Sequence, residues 1–258
     1  WKGRCESGEK FTALTCNRLF HGLNGLFSLI NGHLQLVNLK WLKTFFHRKV
    51  IGARYYNSGY EAEEESTTTV SFRSPRDSSG HGSHTASIAA GRYVLNMTYK
   101  GLAAGGARGG APMARIAVYK TCWNSGCYDV DLLAAFDDAI RDGVDIMSVS
   151  LGPDAPQGDY FSDAISIGSF HAARHGILVV ASSGNEGNPG SATNLAPWML
   201  TVAASSTDRD FTSDIILENG ANFTVILTSY VSKDLCIIFA SLISSECLIR
   251  VKVSVSSK

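Results

Sequence analysis

Apolar residues in the middle of the chain alternate between short unbroken runs and longer runs with helical spacing. The unbroken runs predict buried strands, and they are residues 114–119, 144–150, 177–181 and 199–204. Between the first two strands, the spacing predicts a helix over residues 129–142, with Asp129 as its N-cap and Gly143 at its end. A second helix is predicted over about residues 160–174. This alternation is typical of a parallel α/β sheet with right-handed crossovers.

Ligands of such sheets bind beyond the carboxyl ends of the strands. The loops that follow Ser150 and Ala181 are therefore the first places to look for chemistry. Any residue that lies beside these loops in space belongs to the same candidate site.

Two segments do not follow this pattern. Residues 19–48 are rich in Leu and Phe and contain no Asp or Glu, but Asn, Gly, His and Lys interrupt their apolar residues. Residues 225–258 are apolar and Ser-rich and contain no Gly or Pro. Neither segment predicts a transmembrane span, and residues 19–48 do not predict a regular amphipathic helix either.

The composition of the 258 residues is that of a globular protein, with 45% hydrophobic and 18% charged residues. Lys plus Arg equals Asp plus Glu at 23 each, so neither a nucleic acid nor a membrane is predicted as a partner. The first residue is Trp1, and no signal peptide is recognisable after it. We therefore expect the chain to be an internal piece of a longer product.

The cysteines and sequons bear on the cellular compartment. The six cysteines fall into three local pairs, which are Cys5 with Cys16, Cys122 with Cys127, and Cys236 with Cys247. This arrangement suits disulfides in a secreted protein, and free buried thiols are the alternative. Sequons at Asn96 and Asn222 also favour a secreted glycoprotein.

The most informative stretch is residues 77–87, in which a loop of small residues leads into His81 at a predicted helix start. Gly80 and Gly82 on either side leave room for a peptide close to the imidazole ring. A metal cluster of Asp77, His81 and His84 is the alternative, but the spacing lacks a third convincing ligand, so no metal is predicted. His84 is interpreted as structural.

The segment Gly80-His81-Gly82-Ser83-His84-Thr85-Ala86 resembles the histidine motif of subtilisin-like serine proteases, with Ser83 where Thr is usual. Further blocks resemble the plant branch of that family in the right order, among them residues 51–55, 74–77, 103–120, 148–152, 181–188, 191–198 and 208–211. The resemblance covers residues 1–18 and 49–224. It implies a three-layer, parallel-sheet α/β fold that is incomplete here, a partial peptidase domain over residues 1–224, and a tail over residues 225–258 outside the family pattern.

The resemblance also assigns roles to individual residues. His81 matches the general base, and Asn185 matches the asparagine whose amide helps to bind the oxyanion. Ser150, Leu151 and Gly152 match the strand end that pairs with the backbone of a peptide or protein substrate. The resemblance further implies a disulfide between Cys5 and Cys16 in a secreted parent protein of the cell wall space. No cofactor is implied.

Two members of the expected Asp-His-Ser triad are not recognisable. None of the acidic residues before His81 follows a buried strand, and they are Glu6, Glu9, Glu61, Glu63, Glu64, Glu65 and Asp77. A downstream Gly-Thr-Ser is also missing. The sequence therefore predicts a serine endopeptidase by family whose 258 residues are inactive alone. The alternatives are a non-catalytic, peptide-binding pseudoprotease and a non-functional, mis-spliced product.

The segment 19–48 has its own hypothesis. In relatives, Arg18 runs almost directly into Lys49, so residues 19–48 have no family counterpart. We interpret this segment and the tail 225–258 as translated non-coding sequence, such as retained introns. A lineage-specific insertion is the alternative.

Overall fold

A computed structural model describes residues 2–16, 26–30, 49–63, 72–99, 102–124, 126–206, 209–216, 222–226 and 253–257. The chain divides into two compact units, Trp1–Tyr93 with Arg108–Ala204 and Val94–Ala107 with Ser205–Lys258.

The helices are α1 (Ser58–Glu63), α2 (His81–Ala90), α3 (Asp129–Asp142) and α4 (Ala164–Arg174), besides a short 3-10 helix at Ala13–Thr15. The strands are β1 (Leu26–Ile30), β2 (Val50–Tyr55), β3 (Val94–Tyr99), β4 (Leu102–Ala107), β5 (Arg115–Lys120), β6 (Cys122–Trp123), β7 (Gly126–Cys127), β8 (Ile146–Val149), β9 (Leu178–Ser182), β10 (Leu200–Val202), β11 (Arg209–Ile216), β12 (Asn222–Ile226) and β13 (Val253–Ser257).

The first unit is built on a six-stranded sheet in the order β10-β9-β8-β1-β5-β2. All of its strand pairs are parallel. The four strands predicted from unbroken apolar runs are β5, β8, β9 and β10, and their predicted α/β arrangement is confirmed.

The helix boundaries follow local capping. Helix α3 ends at Gly143, which adopts the left-handed conformation (φ 78°) and donates to two carbonyl groups of the last turn. The prediction of Asp129 as the N-cap was wrong by one residue: Tyr128 is extended there, and its carbonyl accepts the first helical hydrogen bond, from Leu132. Helix α4 begins later than predicted because the Asp163 carboxylate accepts from the backbone N–H of Ser166 (2.9 Å) and caps the helix.

The main core lies where α3 and α4 pack against each other and the sheet. Phe136 of α3 and Met147 and Val179 of the sheet are all at most 1% exposed. A Cβ atom added at Gly168 of α4 would lie 2.3 Å from the Phe136 ring. Glycine at position 168 therefore sets how closely the two helices approach.

The centre of the sheet comes from the segment 19–48. Strand β1 pairs with β5 over five residues and with β8 over four. The chain passes from β5 through α3 to β8 and leaves one strand position free between them, which β1 occupies. The pattern of apolar residues predicts no strand in this segment.

The start of the chain is attached to the edge of the sheet. Cys5 forms a parallel bridge with Ala53 of β2, and both Cys5 and Cys16 are buried. A disulfide joins Cys5 to Cys16, with their Cα atoms 6.1 Å apart. A second disulfide, Cys122–Cys127, closes the β6–β7 hairpin. Cys236 and Cys247 lie outside the described residues.

The second unit contains an antiparallel β3–β4 pair and an antiparallel sheet in the order β12-β11-β13. The tail predicted over residues 225–258 contributes the end of β12 and all of β13. The division of the chain at residue 224 stays a prediction. Among the helices that the structure describes, none combines the length and apolar character that a membrane crossing requires.

Candidate active site

His81 is the first residue of α2, and its side chain is exposed. Gly80 before it is left-handed (φ 92°), a conformation that glycine adopts without steric cost. This glycine turns the chain into the helix and leaves the imidazole at the helix start.

The carboxylate of Asp77 fixes the turn that carries His81. One oxygen accepts from the backbone N–H groups of Ser79 and Gly80, and the other accepts from the backbone N–H of Ser83 (2.9 Å) and from its hydroxyl (2.6 Å). These bonds satisfy donors of the turn and of the first helical residues, as an N-terminal cap does. Asp77 therefore holds the histidine loop in place.

Lys120, at the end of β5, binds the residue that precedes Asp77 in the same loop. Its ammonium nitrogen Nζ donates to the carbonyl of Arg76 (3.2 Å) and lies 4.1 Å from the centre of the Trp123 ring. Lys120 is 2% exposed, and this burial lowers its pKa to about 8. The residue before Asp77 is thus attached to the sheet.

The loops after β8 and β9 emerge from neighbouring strands. Val149, the last residue of β8, pairs with Ala181 of β9, so the loops that follow Val149 and Ser182 leave the sheet at the same edge. Gly152 and Asn185 are exposed in the loops that follow. The parallel pairing brings the predicted substrate-pairing segment and the predicted oxyanion donor to one edge of the sheet.

Bonds between side chains and backbone join these two loops. The Asn194 side-chain nitrogen Nδ2 donates to the carbonyls of Leu151 (2.9 Å) and Ser182 (2.8 Å). Gln157 accepts from the backbone N–H of Leu195 (3.0 Å) through its oxygen Oε1. A cleft of about 320 Å³ opens beside these contacts, lined by residues 156–160 and by Gly190, Ala192 and Leu195.

The predicted site residues lie on two parts of the sheet. Helix α2, which carries His81, packs against β1 and β5. Leu151 and the strand end that leads to Asn185 are brought together by Asn194 after β8 and β9. Within the described part of the chain, no three His, Cys, Asp or Glu side chains are grouped to hold a metal ion.

The predicted glycosylation sites lie in the second unit. Asn96 is exposed in β3 with a left-handed backbone (φ 57°). Asn222 is the first residue of β12.

Sequence analysis missed the roles of Asp77 and Asn194. Asp77 stands just before a helix start, where an acidic side chain commonly binds backbone N–H groups, so its capping role could have been predicted. Asn194 had no such signal, because both of its carbonyl partners are distant in sequence.

The chain is similar in sequence to a known protein family and to plant proteases. The family described as the subtilase family matches residues 38–243. The subtilisin-like serine-protease S of Lotus japonicus is 49% identical over 223 residues, which are 85% of this chain and 25% of that protein. The subtilisin-like protease SBT1.5 of Arabidopsis thaliana is 47% identical over 223 residues, 85% of this chain and 24% of that protein.

The chain thus spans about a quarter of the length of these relatives. Among solved structures, the S393A mutant of the epidermin leader peptide processing serine protease of Staphylococcus aureus matches with a TM-score of 0.47 and 19% identity. That match covers 72% of this chain and 47% of the other.

Proposed function

This chain belongs to the plant branch of the subtilase family, and from that membership we propose that the complete protein is a serine endopeptidase acting on peptides or proteins outside the cell. The observation that carries the proposal is the shared sheet edge at which the loops of Leu151 and Asn185 emerge from paired strands. An extended peptide that lies along the first loop would present its carbonyl groups towards the second.

In the proposed reaction, the imidazole of His81 takes the proton of a nucleophilic serine as that serine attacks the scissile carbonyl carbon. It then gives the proton to the leaving amine. The side-chain amide of Asn185 donates to the carbonyl oxygen as negative charge develops there. The backbone of Ser150, Leu151 and Gly152 pairs with the substrate as an added strand.

The exposed position of His81 and its fixed loop support this assignment. The Asp77 carboxylate binds backbone N–H groups of the turn and of the first helical residues, so the start of the helix that carries His81 is fixed. Asp77 is a positioning residue in this proposal. The triad aspartate and the serine would come from sequence beyond these 258 residues, and the chain alone would be inactive.

A secreted glycoprotein of the cell wall space is part of the same proposal. Two disulfides and the exposed sequon at Asn96 support it, because both features belong to oxidising, extracellular compartments. Mass spectrometry of the plant protein, before and after enzymatic deglycosylation, would detect a glycan on Asn96. An unmodified Asn96 in secreted material would contradict the assignment.

A serine-directed fluorophosphonate probe tests the catalytic proposal. We expect the full-length translation product of the gene to label at one serine and the 258-residue chain to remain unlabelled. In the full-length protein, His81→Ala should slow labelling by at least about 10³-fold, because the serine then loses its base.

His84→Ala, in the same helix, is the matched control and should label like the wild type. An unlabelled full-length protein would refute the endopeptidase proposal. Stoichiometric labelling of the 258-residue chain would refute its inactivity.

A further inference from the structure

We infer that Asn194 is a positioning residue whose buried amide fastens the loop of Leu151 and Gly152 to the end of β9 that leads to Asn185. The inference rests on the proposed function, because it places Asn194 behind the same substrate site. Asn194 is fully buried, at 0% exposure. It therefore acts on a substrate only through the backbone that it holds.

The two bonds of Asn194 come from a single nitrogen atom. Nδ2 donates to the carbonyl of Leu151 (2.9 Å) and to that of Ser182 (2.8 Å). The two carbonyl oxygens can therefore lie no farther apart than the sum of these two bond lengths. Leu151 precedes Gly152, and Ser182 stands three residues before Asn185, so one amide group sets the spacing of the two loops.

Close packing around the amide makes this spacing rigid. A Cβ atom added at Gly152 would lie 2.9 Å from Asn194 Nδ2 and 3.0 Å from the Thr193 hydroxyl oxygen. The backbone N–H of Thr193 donates to the carbonyl of Ser183 (3.1 Å). The loop after β8 therefore touches residues 193 and 194 directly, with no space for a side chain between them.

The chemistry of this position requires an asparagine. Its backbone is left-handed (φ 57°), which glycine and asparagine tolerate better than other residues. Two carbonyl oxygens face the side chain, and the amide nitrogen of asparagine carries two N–H donors that satisfy both from one atom. The side-chain oxygen Oδ1 is buried and receives no hydrogen bond from the described residues, which costs free energy. The two hydrogen bonds that Nδ2 donates offset this cost.

A purely structural turn residue is the competing explanation for Asn194. Such a residue would stabilise the fold without any specific link between the two loops. Asn194→Gly separates the explanations, because glycine keeps the left-handed backbone and removes only the amide. Asn188→Gly is the matched control, since Asn188 is exposed in the same region and makes the same change of residue type.

Hydrogen exchange followed by mass spectrometry tests the link in the 258-residue chain. We expect Asn194→Gly to speed exchange by at least about 10-fold in peptides covering residues 150–158 and 182–189, while α2 keeps its protection. Asn188→Gly should leave residues 150–158 unchanged. Faster exchange confined to residues 190–196 would overturn the inference.

Kinetics of the full-length protein test whether the link serves catalysis. We expect Asn194→Gly to lower kcat about 10- to 100-fold, because a misplacement of about 1 Å costs up to 10² in rate. If Asn194 acts through Asn185, the same change in an Asn185→Ala background should lower kcat less than about 3-fold. A structural role predicts the same factor in both backgrounds, and that result would overturn the inference.

The two experiments separate failure of this inference from failure of the proposed function. A full-length protein without fluorophosphonate labelling refutes the endopeptidase proposal, and hydrogen exchange then still decides whether Asn194 links the loops. An active enzyme whose loops exchange normally in Asn194→Gly refutes the inference alone.

Discussion

Strands β1 and β8 lie side by side in one parallel sheet, but they reach their positions for different reasons. Strand β8 buries Met147 and Val149 against the core and is flanked by helices that the sequence predicts. Strand β1 comes from the segment 19–48, in which no strand is predicted, and lies between two strands whose backbones would otherwise face an empty position. A strand can therefore form because its neighbours lack partners as well as because of its own apolar pattern, since buried N–H and C=O groups require hydrogen-bond partners.

Deleting residues 19–48 tests whether β5 and β8 depend on β1. In the 258-residue chain, β5 and β8 would each lose a partner strand, at a cost of several kcal/mol against a typical total stability of about 5–15 kcal/mol. We expect the cooperative thermal transition, followed by circular dichroism, to disappear. Ser28→Pro should act in the same direction by removing one backbone donor in β1, and Ser28→Ala is its control.

The same deletion has the opposite expected effect in the full-length product. If the segment is translated intron, the proposed full-length product would fill the central position with a different strand, the one expected to carry the triad aspartate. Soluble yield and thermal midpoint should then rise, because an apolar segment without acidic residues is removed. Equal or better behaviour with the segment present would contradict the intron hypothesis.

Met147→Ala tests whether the packing of its own side chains stabilises β8. Met147 is fully buried, so truncation should lower the free energy of unfolding by about 2–5 kcal/mol. Leu200→Ala is the control, since Leu200 is 50% exposed and should cost far less. Similar costs for both variants, measured by chemical denaturation, would show that β8 does not depend on packing.

Removing the Cys5–Cys16 disulfide should weaken β1 more than β8. The disulfide closes a loop with a sequence separation of 11 residues and contributes roughly 2–3 kcal/mol. It also anchors the chain to β2 just before the segment 19–48. In the variant with Cys5→Ser and Cys16→Ser, we expect hydrogen exchange to become faster at β1 before it does so at β8. Removing the Cys122–Cys127 disulfide should not speed exchange at β1 more than at β8. Equal effects on β1 and β8 would contradict this.

Lys120 lies at the end of β5, which is the neighbour of β1 on the side opposite β8. We expect it to give the free energy of unfolding a small dependence on pH. Burial lowers its pKa to about 8 from 10.5, so the unfolded chain binds more protons than the folded chain between these values. Its contribution to stability should therefore increase from pH 8 to about 10, by on the order of 1 kcal/mol. Lys120→Met should flatten this part of the stability curve, and an unchanged slope would contradict the assignment.

The sequence predicted those strands and helices whose own apolar side chains form a buried face. The run 177–181 and the helix spacing over residues 129–142 each produce one buried face, so β9 and α3 could be found from periodicity. Strand β1 could not, because its place depends on a gap that only the crossover from β5 to β8 creates. Asn194 could not either, since the carbonyl of Leu151 that it binds stands 43 residues away.

The position of β1 also governs the order in which the sheet can be completed. Leu29 pairs with Val118 and with Ser148, partners that leave the ribosome roughly 90 and 120 residues later. At about 5–20 residues per second, synthesis separates β1 from its last partner by roughly 6–24 s. During this interval the apolar segment has emerged before its neighbours exist. Such long-range pairing slows folding and exposes the nascent chain to aggregation, so we expect a chaperone that holds extended apolar segments to bind here before β8 is made.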